Sequence, residues 1–142
     1  MAVINPYLNF NGNCEEAFNF YKSVFGGEFA TVMRFKDVPA EYQMSASESE
    51  KIMHVALPIS KETMLMGSDV PASMEPDPLG KNIHISINTT SEAEAKRLFN
   101  KLSAGGQITM PLDKAFWGDY FGMLTDKFGI PWMVSYAPNQ QR

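Results

Sequence analysis

Two stretches carry uncharged hydrogen-bonding side chains at alternate positions. Asn5, Tyr7 and Asn9 lie near the N-terminus, and Asn82, His84, Ser86 and Asn88 lie past the middle. A spacing of two puts each set on one face of an extended strand. A flat, solvated sheet face would carry more Lys and Glu. Amides, hydroxyls, a phenol and an imidazole suit the polar floor of a small-molecule cavity, where neutral groups orient a ligand. An imidazole exchanges protons near neutral pH, so His84 is the candidate general base or hydrogen-bond donor.

The chain has only two histidines, which excludes a three-histidine metal site within one protomer. A site of two histidines and one carboxylate would need His54, His84 and an acid such as Asp69 or Glu28 to converge. His54 itself reads as a structural strand histidine. A two-residue turn at Lys61-Glu62 would put it on the face opposite Met66, and a three-residue turn on the same face.

Ten methionines are many for 142 residues. Met64, Met66 and Met133 are candidate pocket walls, soft enough to fit an amphipathic ligand of variable shape. The stretch "FWGDYFGMLTDKFGIPWMV", residues 116–134, adds Trp117 as a rim residue and Tyr120, which either offers its phenol to the ligand or packs with a tethered hydroxyl. Trp132 reads as a core anchor. Asp126 reads as a turn residue, with Gly129 permitting positive φ.

The elements that must position these residues occur twice. "VINPYLNF" alternates as a strand, with Ile4, Leu8 and Phe10 on one face. "NCEEAFNFYKSVFGG" is an amphipathic helix with Asn13 as N-cap, Glu16 at N3 and a Gly26-Gly27 stop. "EFATVMRF" is a second strand, and "IMHVALPI" and "ETMLMGSD" form a hairpin. Residues 37–51 are polar, acidic and aperiodic, as in a loop. "VPASMEPDPLGK", with three prolines, is the linker.

The order then restarts. "NIHISINT" is a strand with Ile83, Ile85 and Ile87 on its packing face, and Ser91 and Glu94 form the capping box of a second helix. "QITMPL", "YFGMLTD" and "PWMVSYA" supply three more strands. An offset of 79 carries Asn5 onto His84 and Gly26-Gly27 onto Gly105-Gly106, and an offset of 67 carries Leu57 onto Leu124 and Met66 onto Met133. The expected architecture is α+β, with a βαβββ module used twice. Module one spans 1–69, the linker 70–81, module two 82–137 and a tail 138–142.

The totals narrow the function. A single domain of this length buries roughly 70% of its unfolded surface. A net charge of −4 and a pI near 5.1 leave no means of neutralising nucleic acid phosphates. No apolar run is long enough for a membrane span. The N-terminus lacks a signal-peptide pattern, and the lone Cys14 fits a reducing compartment, so a cytoplasmic location is expected.

The doubled βαβββ order, "FYKSVFGG", and above all the G-D-x-x-G-x-x-x-D-x-F-G-x-P-W pattern from Gly118 to Trp132 resemble the PhnB-like branch of the vicinal oxygen chelate superfamily. That superfamily includes glyoxalase I, bleomycin-resistance proteins and extradiol dioxygenases. The resemblance covers Tyr7 to Tyr136. It implies a U-shaped mixed sheet around a cleft, and a homodimer.

The superfamily's metal enzymes hold a divalent ion with His, Gln or Glu from the first and last strand of each module. The resemblance carries those positions onto Asn5, to within one register step, and His84, then onto Met66 and Met133. His84 is the only retained ligand-type residue among them, so no cofactor is expected and a divalent metal is disfavoured. The expected function is binding of a small organic ligand by Asn5, Tyr7, His84, Ser86, Met66, Met133, Tyr120 and Trp117. The alternative is a metal-dependent lyase, isomerase or dioxygenase. The methyltransferase name attached to this branch finds no adenosyl-cofactor motif, because both Gly-Gly pairs end helices rather than open them.

Overall fold

The computed structural model describes residues 4–37, 48–70, 83–115 and 118–138. The chain divides into two compact units, residues 1–77 and 78–142. Apart from Val70 and Pro138, the expected linker and tail lie outside the described residues, as does Trp117.

The first unit contains β1 (Tyr7–Phe10), α1 (Cys14–Phe25), β2 (Thr31–Arg34), a 3-10 turn (Phe35–Asp37), β3 (Ile52–Pro58) and β4 (Met64–Asp69). Its strands lie in the order β1-β4-β3-β2. β1 runs parallel to β4, and the other pairs are antiparallel. The second unit repeats this with β5 (Ile85–Thr89), α2 (Glu92–Ser103), β6 (Gln107–Lys114), β7 (Tyr120–Thr125) and β8 (Pro131–Tyr136), in the order β5-β8-β7-β6.

One side of each sheet packs on its helix. In the first unit Ala17, Phe18, Tyr21 and Val24 of α1 are buried together with Phe10, Val55, Leu57 and Leu65. Each buried Val, Leu or Phe among them contributes about 2 kcal/mol of apolar burial. Phe18 sits where a Cβ on Gly67 would be, 2.6 Å from its ring. In the second unit Phe99 of α2 lies 2.8 Å from the Cβ position of Gly122. The glycine has changed strand: Gly67 of β4 pairs with Val55 of β3, whereas Val134 of β8 pairs with Gly122 of β7. Either arrangement leaves one space per sheet for a phenylalanine ring.

The helix starts differ from one another. Ser91 Oγ accepts the Glu94 N–H at 3.0 Å, as the capping box requires, while the Glu94 carboxylate reaches back to the Thr90 N–H at 2.9 Å. Asn13, expected to cap α1, makes no side-chain cap bond. The acceptor there is Asp69, which is 3% exposed at the end of β4. Its Oδ1 takes the N–H groups of Gly12 (3.0 Å) and Cys14 (2.9 Å), and its Oδ2 takes that of Ile52 (2.9 Å). A carboxylate at a helix N-terminus also meets the positive end of the helix dipole.

Two expected packing residues do not pack. Ile4 is 93% exposed and Ile83 71% exposed, and each stands before its strand begins.

Candidate functional site

Strand alternation sorts every side chain by the glycine that marks the helix side. In the first unit Tyr7 pairs with Met66, Met66 with Ala56, and Ala56 with Thr31, all on the side away from α1. Asn9 pairs with Ser68 one row along, and Met33 of β2 pairs with His54. In the second unit Ser86 pairs with Met133, Met133 with Met123, and Met123 with Met110. Asn88 pairs with Ser135, whose hydroxyl donates to the Asn88 amide oxygen at 2.9 Å. Both helix-free faces therefore combine thioethers with uncharged polar groups.

The hairpin resolves the position of His54. The Ile59 N–H reaches the Thr63 carbonyl at 3.0 Å, which leaves Ser60, Lys61 and Glu62 as a three-residue loop. His54 therefore shares the face of Met66. There its ring stacks on Tyr7, with centroids 5.8 Å apart and planes 23° from parallel. The Tyr7 hydroxyl lies 3.3 Å from His54 Nδ1. Tyr7 and His54 come from β1 and β3, so the contact bridges the intervening β4.

The other expected site residues divide. Asn5 turns its amide oxygen to the Met64 N–H at 2.9 Å, tying the chain before β1 to the start of β4. That oxygen is engaged in the fold. His84 stands immediately before β5, two residues from Ser86, and is half-buried. Tyr120 pairs with Tyr136, two residues along β7 from the Gly122–Val134 pair, which places it on the α2 side rather than beside Met133. The two tyrosine rings stack at 6.3 Å, and the Tyr120 hydroxyl bonds the Glu92 carboxylate. That bond raises the phenol above its ordinary range. Of the two roles expected for Tyr120, the strand parity that puts Met133 on the helix-free face fits the packed ring with a tethered hydroxyl, because it turns Tyr120 to the helix.

The motif around Asp126 is a turn built on a buried carboxylate. Asp126 Oδ1 accepts the N–H groups of Phe128 (2.8 Å) and Ile130 (3.0 Å), and Oδ2 accepts Trp132 Nε1–H at 2.9 Å. Gly129 takes φ of 87°, which favours glycine. Trp132 is buried on the α2 side, paired with Ile85 and Leu124. This fixes the shape of the hairpin and leaves Met123 and Met133, paired across β7 and β8, on the helix-free face.

The donor set does not fit a hard divalent ion. The residues opposite Met66 and Met133 are Tyr7 and Ser86, one register step from Asn5 and His84 respectively. The carried-over positions supply the Asn5 amide, whose oxygen already accepts the Met64 N–H, the His84 imidazole and two thioethers. Their neighbours Tyr7 and Ser86 add a phenol and a hydroxyl, with no carboxylate to offset the ion's charge. Asp69 is occupied by three backbone N–H groups, and Glu28 pairs with Lys22 at 3.2 Å. Among the described residues no group of three His, Cys, Asp or Glu side chains could hold a metal. Burial pushes the Cys14 thiol well above its usual range, helped by the charge of Asp69, so Cys14 is no nucleophile. No described helix is long and apolar enough to cross a membrane.

This architecture is that of a glyoxalase-type domain. Residues 3–134 match the model of the Glyoxalase/Bleomycin resistance protein/Dioxygenase superfamily, and the chain belongs to that family. Among curated proteins it is 32% identical to Protein YjdN of Escherichia coli, over 96% of this chain and 97% of the relative. Among solved structures, protein PA1353 of Pseudomonas aeruginosa is 43% identical, with a TM-score of 0.84 over 96% of this chain and 98% of that one. A PhnB protein of Bacillus cereus with a provisional 3-demethylubiquinone-9 3-methyltransferase label is 26% identical, with a TM-score of 0.76 over 94% and 98%.

Proposed function

We propose that the protein binds a small, uncharged, amphipathic organic molecule on a helix-free sheet face, without a hard divalent ion at the family's metal positions. The observation that supports this is the register pairing of Met66 with Tyr7 and of Met133 with Ser86. Thioethers at both positions favour apolar and polarisable ligand surface, while Tyr7, His54, Ser86 and Asn88 supply neutral hydrogen bonds. Catalysis of the metal-dependent type would need a carboxylate that this set lacks.

Native mass spectrometry of the purified protein tests the reading, since it reports retained organic mass, metal and assembly together. A retained organic ligand, with no stoichiometric metal after incubation with Zn²⁺, Ni²⁺ or Mn²⁺, is the expected result. One ion per chain that disappears in His84→Ala would overturn it. A methyltransferase reading would instead require S-adenosylmethionine to bind, which calorimetry measures directly.

A further inference from the structure

The stacked Tyr7–His54 pair offers more than a surface for binding. A phenol bonded to a neutral imidazole has two arrangements. In one, the Tyr7 hydroxyl donates to Nδ1, leaving Nε2–H as a donor and the phenol oxygen as an acceptor. In the other, Nδ1–H donates to the phenol oxygen, leaving the Tyr7 hydroxyl as a donor and Nε2 as an acceptor. Either way the pair presents one donor and one acceptor, and the two arrangements differ by reversed roles.

The surroundings limit the ligand's charge. Tyr7 is 44% exposed, so a ligand reaches it without rearrangement. Thr31, Met33, Ala56, Met66 and Ser68 share its face, and none of them is charged. Such a floor recognises a neutral molecule with adjacent donor and acceptor positions better than it recognises an anion.

We propose that Tyr7 and His54 form a proton-exchanging pair that tautomerises a neutral, enolisable carbonyl compound bound on the helix-free face of the first sheet. Nε2 takes a proton from the carbon next to the carbonyl, and that C–H electron pair becomes the C=C bond. The C=O π pair takes the Tyr7 hydroxyl proton and becomes the enol O–H. The Nδ1 proton passes to the phenol oxygen. One proton has moved across the ligand, no net charge has formed, and the pair has switched arrangement. Run backwards, the same steps ketonise an enol. Water resets the exposed pair between turnovers. The inference rests on the ligand-binding reading above but assigns it a reaction.

Benzoylacetone is a suitable probe, being neutral, planar and measurable by its enol absorbance. Enol-rich probe diluted from an apolar solvent into buffer loses that absorbance slowly, and the wild-type protein should accelerate the loss. Tyr7→Phe and His54→Gln should each lower kcat/KM by at least roughly tenfold, as for removal of a general acid or base. Thermal unfolding checks that both variants fold. A wild-type rate equal to buffer, or full activity in Tyr7→Phe, would overturn the inference. Binding of the probe is followed separately by the methionine methyl resonances. Binding without acceleration overturns the reaction alone, whereas no binding at all overturns both readings.

Discussion

Asp69 Oδ1 accepts the backbone N–H of Cys14 at 2.9 Å, although 55 positions separate the two residues. The same carboxylate holds Gly12 and Ile52, so it joins the start of α1 to the start of β3 from the end of β4. Replacing it by alanine leaves buried N–H groups unpaired, which costs about 3 kcal/mol. Urea denaturation of Asp69→Ala measures this. A loss below ~1 kcal/mol would mean that water or relaxation satisfies those groups.

Gly67 and Gly122 are required by contact rather than by conformation. An alanine methyl at Gly67 would meet Phe18 at 2.6 Å and the Leu8 carbonyl oxygen at 2.8 Å. At Gly122 it would meet the Leu112 Cα at 2.8 Å. Backbone cannot step aside as a side-chain tip can, so each substitution to alanine should destabilise by about 1–3 kcal/mol. Unchanged unfolding midpoints would show that the sheets shift freely over their helices.

Cys14 is fully buried and its thiol is pushed up by burial. It should therefore resist an aromatic disulfide reagent at neutral pH and react once urea unfolds the chain. The linkage sign follows. The unfolded thiol ionises near pH ~8.5 while the folded one stays protonated, so the unfolded state binds fewer protons and stability falls as pH rises above that value. Fast labelling of the native protein would contradict the packing of α1.

Arg34 grips the Glu15 carboxylate with both terminal nitrogens, at 3.1 and 2.5 Å. The hydrogen bond from Arg34 lowers the Glu15 carboxyl below its ordinary range. A lowered carboxyl contributes stability above its unfolded value, near pH ~4.3, and loses it as pH falls through the folded value. The Glu15 side chain is 55% exposed, so solvent screening holds the contribution to a few tenths of a kcal/mol. Arg34→Gln should be slightly less stable than wild type at about pH 6, with the difference closing as pH falls through the lowered Glu15 value. A gap that persists in acid would show that the guanidinium acts through its other bond, to the Glu50 carbonyl at 2.7 Å.

The repeat was legible because it rests on local signals: alternation, caps and helix-ending glycines. The offsets of 79 and 67 reappear in the register, where Tyr7 pairs with Met66 and Ser86 with Met133. Ser91 capped as its neighbours required. The cap of α1 was not legible, because its acceptor arrives from β4 through tertiary structure. His54 depended on one residue of loop length, which sequence leaves open. The role of Tyr120 stayed open for a related reason: its side of β7 is set by the parity around Gly122, and the glycine's role shows only when Phe99 packs on it. The charge-poor faces were readable in outline, but the stacking of Tyr7 on His54 across β4 needed the strand order.

The most direct test of the central claim is a methionine methyl NMR titration of the labelled protein, once with benzoylacetone and once with Zn²⁺. The account predicts that benzoylacetone shifts the methyls of Met33, Met64 and Met66, which share the helix-free face of the first sheet with Tyr7 and His54, while Zn²⁺ leaves them in place. Zn²⁺-induced shifts at Met66 with no response to the organic probe would contradict it.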